Sequence, residues 1–470
     1  MHGVYTVEQV RDAEAQLMAR LPEGALMQRA AGALAVHCAD LLDAVYGARV
    51  TLLVGAGNNG GDALYAGARL AARGARVTAL LLAPDRAHAG GLAALVRAGG
   101  RTVDAGPAQV PADLVVDGIL GIGGSGGLRP AAAALAAAAR GSLTVAVDLP
   151  SGVDADTGAV DGEAVHADVT VTFGALKAGS VVAPGTDLAG QVRLVDIGLA
   201  LPSADAHVLE EPDVRALLPV PGAVDDKYTR GVIGVVAGSP KYNGAGVLCT
   251  GSAVHGGAGM VRYAGASPDG IRARFPEVVV HDDQRPSQLQ VQAWVVGPGM
   301  GTDDTALNLL RDVLSTDVPV IVDADGLTLV GEHRDLLSRD APTVLTPHDR
   351  EYERIAGPVG PDRLGAARRA AADLGVTMLL KGNATVVADR DGHAYVNPTG
   401  TPWLGTAGSG DVLSGLIGSL LAAGLEAPQA AAVAAYAHGV AGQLAATDGP
   451  PSAEDVLASV RPALRRLERG

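Results

Sequence analysis

The stretch RVTLLVGAGNNGGDALYAGARLAARG, residues 49–74, decides the fold. It opens with an apolar run, RVTLLVG, that ends in glycine. Residues 62–74 then carry apolar groups at helical spacing, with Leu64, Ala68 and Ala71 on one face and Gly74 placed to cap the end. Between the two lies GAGNNGGD (Gly55–Asp62). Strand, tight turn and helix form the unit of a parallel sheet, whose strands are covered on both faces and are therefore almost continuously apolar. The unit recurs. ARVTALLLAP, LVVDGILGIG, LTVAVDLPSG, DVTVTFG and QVRLVDIG read as further strands up to residue 198, and PAAAALAAAARG (Pro130–Gly141) as a helix. Ahead of them, Thr6 to about Leu42 reads as helix, broken near Pro22.

Around Leu201–Asp226 the pattern lapses into Pro-, Asp- and Glu-rich sequence, and a second series follows. Strands are expected in Gly231–Pro240, Ala293–Gly301, Val318–Gly326, Thr343–Asp349 and Val376–Asp389, and helices over Asp411–Leu425, Ala427–Thr447 and Ala453–Leu467. The expected organisation is a domain over 1–205, a linker over 206–226 and a domain over 227–470. Both are α/β: a Rossmann-like three-layer domain, then a ribokinase-like one. A length of 470 residues suits two large domains at about 150 or more residues each.

Composition narrows the function classes. Hydrophobic residues at 48% and charged residues at 19% exclude a disordered chain. Lys+Arg 36 against Asp+Glu 51 gives 36 − 51 = −15, and so acidic a surface is not expected to bind nucleic acid. No apolar run reaches the ~18–20 residues of a membrane span. The first residues lack the basic start and apolar segment of a signal peptide, so a cytoplasmic protein with no membrane partner is expected. Cys38 and Cys249 are expected to be buried thiols. Only four of the 36 basic residues are lysine (Lys177, Lys227, Lys241, Lys381), which draws attention to each of them.

In a parallel sheet the loops after the strands share one edge, where ligands bind. Three such loops stand out in the first half: Gly55–Asp62, DGILGIGGSGGLRP (Asp117–Pro130) and DLPSG (Asp148–Gly152). Their glycines let backbone N–H groups approach a phosphate. In the second half, GTAGSGDVLSGLIGSLLAAGL (Gly405–Leu425) runs from a glycine turn straight into a helix. The N–H groups of Gly408–Gly410 and the helix dipole would make an anion hole, beside which Asp411 could take a proton from an attacking hydroxyl. GPGMG (Gly297–Gly301), TPHDRE (Thr346–Glu351) and LKGNAT (Leu380–Thr385) fall at the same edge, with Lys381 where a cation could meet nucleotide phosphates.

With NNGGD at Asn58–Asp62, the glycine loop Gly121–Gly127, DLPSG and the stretch TFGALKAG, the first half resembles the YjeF N-terminal family, the NAD(P)H-hydrate epimerases. The resemblance implies that Asn58, Asn59, Gly60, Gly61 and Asp62, together with Gly121, Ile122, Gly123, Gly124, Ser125, Gly126 and Gly127, bind the hydrated dinucleotide. It implies potassium ligands in Asn59, Asp117 and Ser151, and substrate contact by Asp148, which could act as acid and base while the ring opens and recloses at C6. Residues from about 210 onward resemble the YjeF C-terminal family, the ADP-dependent NAD(P)H-hydrate dehydratases. Here the resemblance implies that Lys381, Gly382, Asn383, Ala384, Thr385 and Gly410 hold the adenine nucleotide. Ala245, Gly299, His348 and Asp411 would contact the hydrate, with Asp411 catalytic. ADP is the implied co-substrate, accompanied by magnesium, and a homo-oligomer is expected, with a tetramer as one option. The alternative is a ribokinase-like small-molecule kinase fused to a non-catalytic scaffold domain.

Plainer readings fit other residues. Lys177 is expected in a packing or surface role, Asp323 and Asp325 as turn-formers, Lys241 and Tyr242 at the surface, and Trp294 and Trp403 in the core.

Overall fold

The computed structural model describes residues 1–105, 112–124 and 126–469. The chain divides into two units, Gly3–Asp205 and Ala206–Gly470, the latter joined by Met1–His2.

The first unit is built on a seven-stranded sheet, in the order Arg101–Asp104, Arg76–Leu81, Arg49–Val54, Leu114–Gly118, Thr144–Val147, Val169–Phe173, Gln191–Val195. Every pairing in it is parallel. Counted along the chain this order is 3-2-1-4-5-6-7, the doubly wound arrangement, and the chain reverses direction of travel between Arg49–Val54 and Leu114–Gly118. The central strands are buried throughout, as their apolar sequence requires. The helix after the first strand is Asn58–Ala72, so it begins inside the glycine motif, four residues before Asp62. The expected helical N-terminus is two helices, Val7–Met18 and Ala25–Asp40, and Thr6 caps the first through a reciprocal pair with Gln9.

The second unit carries a mixed sheet in the order Val279–Val280, Met260–Tyr263, Val232–Val236, Ala293–Val296, Val320–Val322, Thr343–Leu345, Thr377–Leu380, Thr385–Ala388, Ala394–Asn397, Ala206–Val208. The stretch 376–389, expected as one strand, is a hairpin: Thr377–Leu380 and Thr385–Ala388 pair antiparallel around the LKGNAT turn. The stretch expected as a linker is partly structural. Ala206–Val208 pairs with Ala394–Val396, Glu211–Leu217 is a helix, and Leu209 and Val214 lie in the core of the second unit. The apolar side chains among the Pro and Asp residues were the signal for this. Helix Ala427–Ala445 buries its alanines within that same core. Its small residues are thus used inside the unit rather than held free for a neighbouring subunit.

Cys38 and Cys249 are free and buried, and Trp294 is fully buried. Trp403 is not in the core: it is 50% exposed on the 3-10 turn Pro402–Leu404, where Leu404 makes the inward contact. No described helix is long and apolar enough to cross a membrane.

Candidate functional site

The first unit holds a cavity of about 1430 Å³ at the carboxyl edge of its sheet. Asn58, Asn59, Asp62, Gly121–Gly124, Gly127 and Asp148 line it, with Arg11 and Glu14 from helix Val7–Met18. Beneath the glycine loop, Asp117 is fully buried. Ser151 donates to it from its backbone N (2.8 Å) and its hydroxyl (2.7 Å), and Ile119 N adds a third bond at 3.2 Å. Burial pushes the Asp117 carboxyl up to about 6, with the Ser151 bonds acting against that rise. Asn59 Nδ2 donates to the carbonyls of Leu120 and Val147, both at 2.9 Å. The Leu120 backbone also bonds the Ser151 hydroxyl, so Asn59, Asp117 and Ser151 are joined around one peptide. A Cβ on Gly121 would lie 2.8 Å from Asn59 Oδ1, which is why the loop passes Asn59 as glycine.

Asp148 follows strand Thr144–Val147 directly, with φ 69, in the left-handed region. Such a backbone in a non-glycine residue costs about 1–3 kcal/mol and persists where the surroundings enforce it. Three donors hold its Oδ1: Lys177 Nζ at 2.5 Å, Thr172 Oγ1 at 3.1 Å and Phe173 N at 3.3 Å. Asp62 has its Oδ1 buried without a hydrogen-bond partner. Burial, then the charges of Asp148 and Glu14, raise its carboxyl well above the usual range. Glu14 is raised by burial and by Asp148.

In the second unit the centre is Asp323, 2% exposed in its side chain, at the end of strand Val320–Val322. Lys381 Nζ meets its Oδ1 at 2.8 Å and Ser414 Oγ donates to its Oδ2 at 2.7 Å. Lys381 also lies 3.5 Å from Glu351 Oε2. Gly410 packs against this pair: a Cβ there would be 3.5 Å from Lys381 Nζ and 3.8 Å from Asp323 Oδ2. Asp411 stands in the first turn of helix Ser409–Ala422, after Gly408 at φ 94. Burial first, then the negative charge of Asp323, pushes its carboxyl up to about 7, while Lys381 pulls it down. Behind the turn, His438 is hydrogen-bonded to the Ser409 backbone and is held neutral by burial, its ring lowered to about 4.

Residues 233–459 match the NAD(P)H-hydrate dehydratase family, and residues 23–179 match the family of YjeF-related protein N-termini. The bifunctional NAD(P)H-hydrate repair enzyme Nnr of Mycobacterium leprae is 52% identical over 99% of this chain and 100% of its own length. The protein of that name from Mycobacterium tuberculosis is 53% identical over 92% of each chain. The chain belongs to the bifunctional NAD(P)H-hydrate repair enzymes. It joins an epimerase domain to a dehydratase domain. The dehydratase domain is similar in structure to the ADP/ATP-dependent NAD(P)H-hydrate dehydratase of Bacillus subtilis co-crystallised with ATP and Mg2+, with TM-score 0.52 and 28% identity over 56% of this chain and 98% of that one. A ribokinase-like superfamily protein from Enterococcus faecalis aligns at TM-score 0.53 and 26% identity, over 58% and 99%.

In the epimerase domain most of the expected site residues line one cavity; Gly126, Asp117 and Ser151 are not among its lining residues, and Ser125 lies outside the described residues. Gly60 and Gly61 are buried in helix Asn58–Ala72 behind it. In the dehydratase domain, Ala245 and Gly299 meet, since a Cβ on Gly299 would lie 2.7 Å from Ala245 Cβ. The LKGNAT turn is tight, with Thr385 Oγ1 donating to Gly382 O, Ala384 buried, and Gly400 pressed against the Asn383 carbonyl. His348 is the N-cap of helix Asp349–Ala356, its Nδ1 accepting from Arg350 N and Glu351 N, and its side chain is 51% exposed. One ring nitrogen is thus spent on the helix, and the other faces Glu351 at 3.6 Å.

Two plainer readings are overturned. Lys177 is neither a surface nor a simple packing residue: its side chain is 0% exposed and its ammonium pairs with Asp148. Asp323 is not merely a turn-former: its carbonyl accepts from Gly326 N at 3.0 Å, and its side chain is the buried partner of Lys381. Asp325 ties its loop to the GPGMG loop, its Oδ2 accepting from Gly301 N at 2.9 Å. Arg11, Glu14 and Glu351 were not expected at either site. Scarcity of lysine was the one available signal, and it points to Lys177 and Lys381 alike; Lys227 and Lys241 instead lie over their neighbouring tyrosine rings at the surface.

The Asp323 carbonyl sets a test of this packing. Gly297 has φ 123, and a Cβ there would come within 1.9 Å of Asp323 O. Gly297→Ala should therefore destabilise the dehydratase domain by about 2 kcal/mol or more. In a urea melt it should lower that transition, and dehydratase activity should fall while epimerase activity is retained.

Proposed function

We propose that Asp148 is the acid–base group of the epimerase site and Asp411 that of the dehydratase site. The observation that carries this is common to both: each is a largely buried carboxyl beside a glycine loop with a lysine ammonium near it, paired with Asp148 itself in the first site and with Asp323 in the second. In the first site, Asp148 takes the proton of the C6 hydroxyl. The C6–N1 bond breaks, its electron pair going to N1, and an open-chain aldehyde results. Rotation and reattack by N1 on the other face of that carbonyl reform the ring, and the proton returns to the C6 oxygen. The cavity volume suits a whole dinucleotide, and the N–H groups of Gly121–Gly123 would receive its pyrophosphate.

Asn59, Asp117 and Ser151 would hold a potassium ion, which supplies a fixed positive charge beneath the glycine loop. The donor set suits a monovalent cation, since it offers one buried carboxylate with neutral oxygens about it. Potassium in place of a bulky organic cation should raise the melting temperature of the epimerase domain, and Asp117→Asn should abolish that rise. An equal rise in the variant would remove Asp117 from the ligand set.

In the second site, hydroxide leaves C6 of the S hydrate poorly. Asp411 takes the hydroxyl proton as the oxygen attacks the β-phosphorus of ADP, and AMP departs. Phosphate then leaves C6, a proton is lost from C5, and the C5=C6 bond of NAD(P)H is restored. Lys381, fixed by Asp323, would face the nucleotide phosphates, and the N–H groups at Gly408–Gly410 would receive the transferred group. Magnesium would enter with those phosphates, its usual ligands. The S hydrate with ADP and magnesium should regain reduced-nicotinamide absorbance with one AMP and one phosphate formed per turnover. A stable phosphorylated hydrate as the end product would favour the kinase reading instead.

A further inference from the structure

We propose that Lys177 is a positioning residue of the epimerase: its ammonium fixes one oxygen of Asp148, leaving Oδ2 as the oxygen that works on the hydrate. The inference rests on the reading of Asp148 as the acid–base group. Among the described residues, the hydrogen bonds to this carboxylate all fall on Oδ1. Lys177 is itself held from two sides. Its backbone is in register with Tyr5 in a parallel pair, and its carbonyl accepts from Ser180 Oγ at 2.8 Å. The lysine is fully buried and Asp148 is 11% exposed in its side chain, so the pair reads as a cation behind the cavity wall with the carboxylate at the wall's face.

The surrounding charges give the ammonium a second task. The charge of Asp148 raises Glu14 on helix Val7–Met18 and Asp62 on helix Asn58–Ala72, so both carboxyl groups lie within its electrostatic reach. Arg11 reaches the Ile122 carbonyl instead and acts on Glu14 from the same helix. Lys177 is therefore the buried cation that pairs with Asp148 and also offsets the charge of Glu14. Without it, Asp148 would face Glu14 and Asp62 with no compensating charge, and repulsion would favour its protonated form. A protonated Asp148 cannot accept the C6 hydroxyl proton.

The test uses full-length Lys177→Met, which keeps the length of the side chain and removes its charge, assayed on the R hydrate across pH. We expect kcat to fall about 10²-fold at pH 7 with KM changed less than about threefold, and the acid limb to move to higher pH. Adding Glu14→Gln to that variant should move the limb back. A Lys177→Met protein with wild-type kcat and limb overturns the inference. If that variant does not melt cooperatively, Glu14→Gln alone carries the test: the limb should move to lower pH, and an unmoved limb overturns the inference. Asp148→Asn separates the two levels. Full epimerisation in that variant would remove the underlying reading, whereas an inactive Asp148→Asn beside an unaffected Lys177→Met would remove the role of Lys177 alone.

Discussion

Asp411→Asn should end ADP-driven recovery of NAD(P)H from the S hydrate, lowering kcat by about 10²–10⁴-fold, and should at the same time make the protein more stable. Both effects come from one carboxyl. Burial and the charge of Asp323 push it up to about 7 from an ordinary 3.8, because Lys381 already belongs to Asp323. A folded-state value above the unfolded one means that the ionised form opposes folding. The penalty is absent below about pH 4, grows from there to about pH 7 and is full above it. Asparagine has no charge to bury, so at pH 8 the dehydratase transition should rise by roughly 2–4 °C, the equivalent of about 1 kcal/mol. The gain should vanish at pH 4. The same shift fixes the pH dependence of the reaction: the group must be a carboxylate to accept a proton, so kcat/KM should climb through about pH 7. A variant that loses activity with no gain in melting temperature at pH 8 would separate catalysis from the burial argument.

The two sites differ in how much of them is written in the chain. Glycine loops were legible because a backbone that must approach another closely can be built only from glycine, and the residue identity records that directly. Gly408, whose φ is 94, and Gly121, which passes Asn59 too closely for a Cβ, are of this kind. The doubly wound sheet was legible for a related reason, as strands covered on both faces are built mostly from apolar residues. What stayed hidden was pairing across distance. Lys177 reaches Asp148 over 29 residues and Lys381 reaches Asp323 over 58. No local pattern records such a partner. Asp323 in DADG looks like any acidic turn, and only the fold shows that its side chain holds a cation while Asp325 ties the loop to Gly301. The hairpin at LKGNAT was missed because the sequence around it is apolar on both sides of a four-residue turn. The strand Ala206–Val208 was missed because it is three residues long.

Asp148→Asn should abolish conversion of the R hydrate with an effect on stability opposite to that of Asp411→Asn. With R hydrate, ADP and magnesium, the wild-type chain should restore all of the reduced-nicotinamide absorbance. The variant should do so no faster than the hydrate epimerises unaided, a loss of about 10²–10⁴-fold, and its rate on S hydrate should be unchanged. The backbone gives no reason for misfolding, since asparagine tolerates the left-handed conformation that Asp148 adopts. The charge does. Lys177 is fully buried and its ammonium bonds Asp148 at 2.5 Å, so a neutral partner leaves a cation in the interior without its counter-charge. Breaking a buried pair from one side costs about 3–5 kcal/mol, so the epimerase transition should fall steeply. The two substitutions are chemically identical and both remove a carboxyl proposed as an acid–base group. Their opposite signs follow from pairing: Asp148 owns a buried cation, and Asp411 stands beside one already taken. Melting the two variants side by side at pH 8 checks this directly, and a rise in both, or a fall in both, would mean that the lysine partners are assigned wrongly.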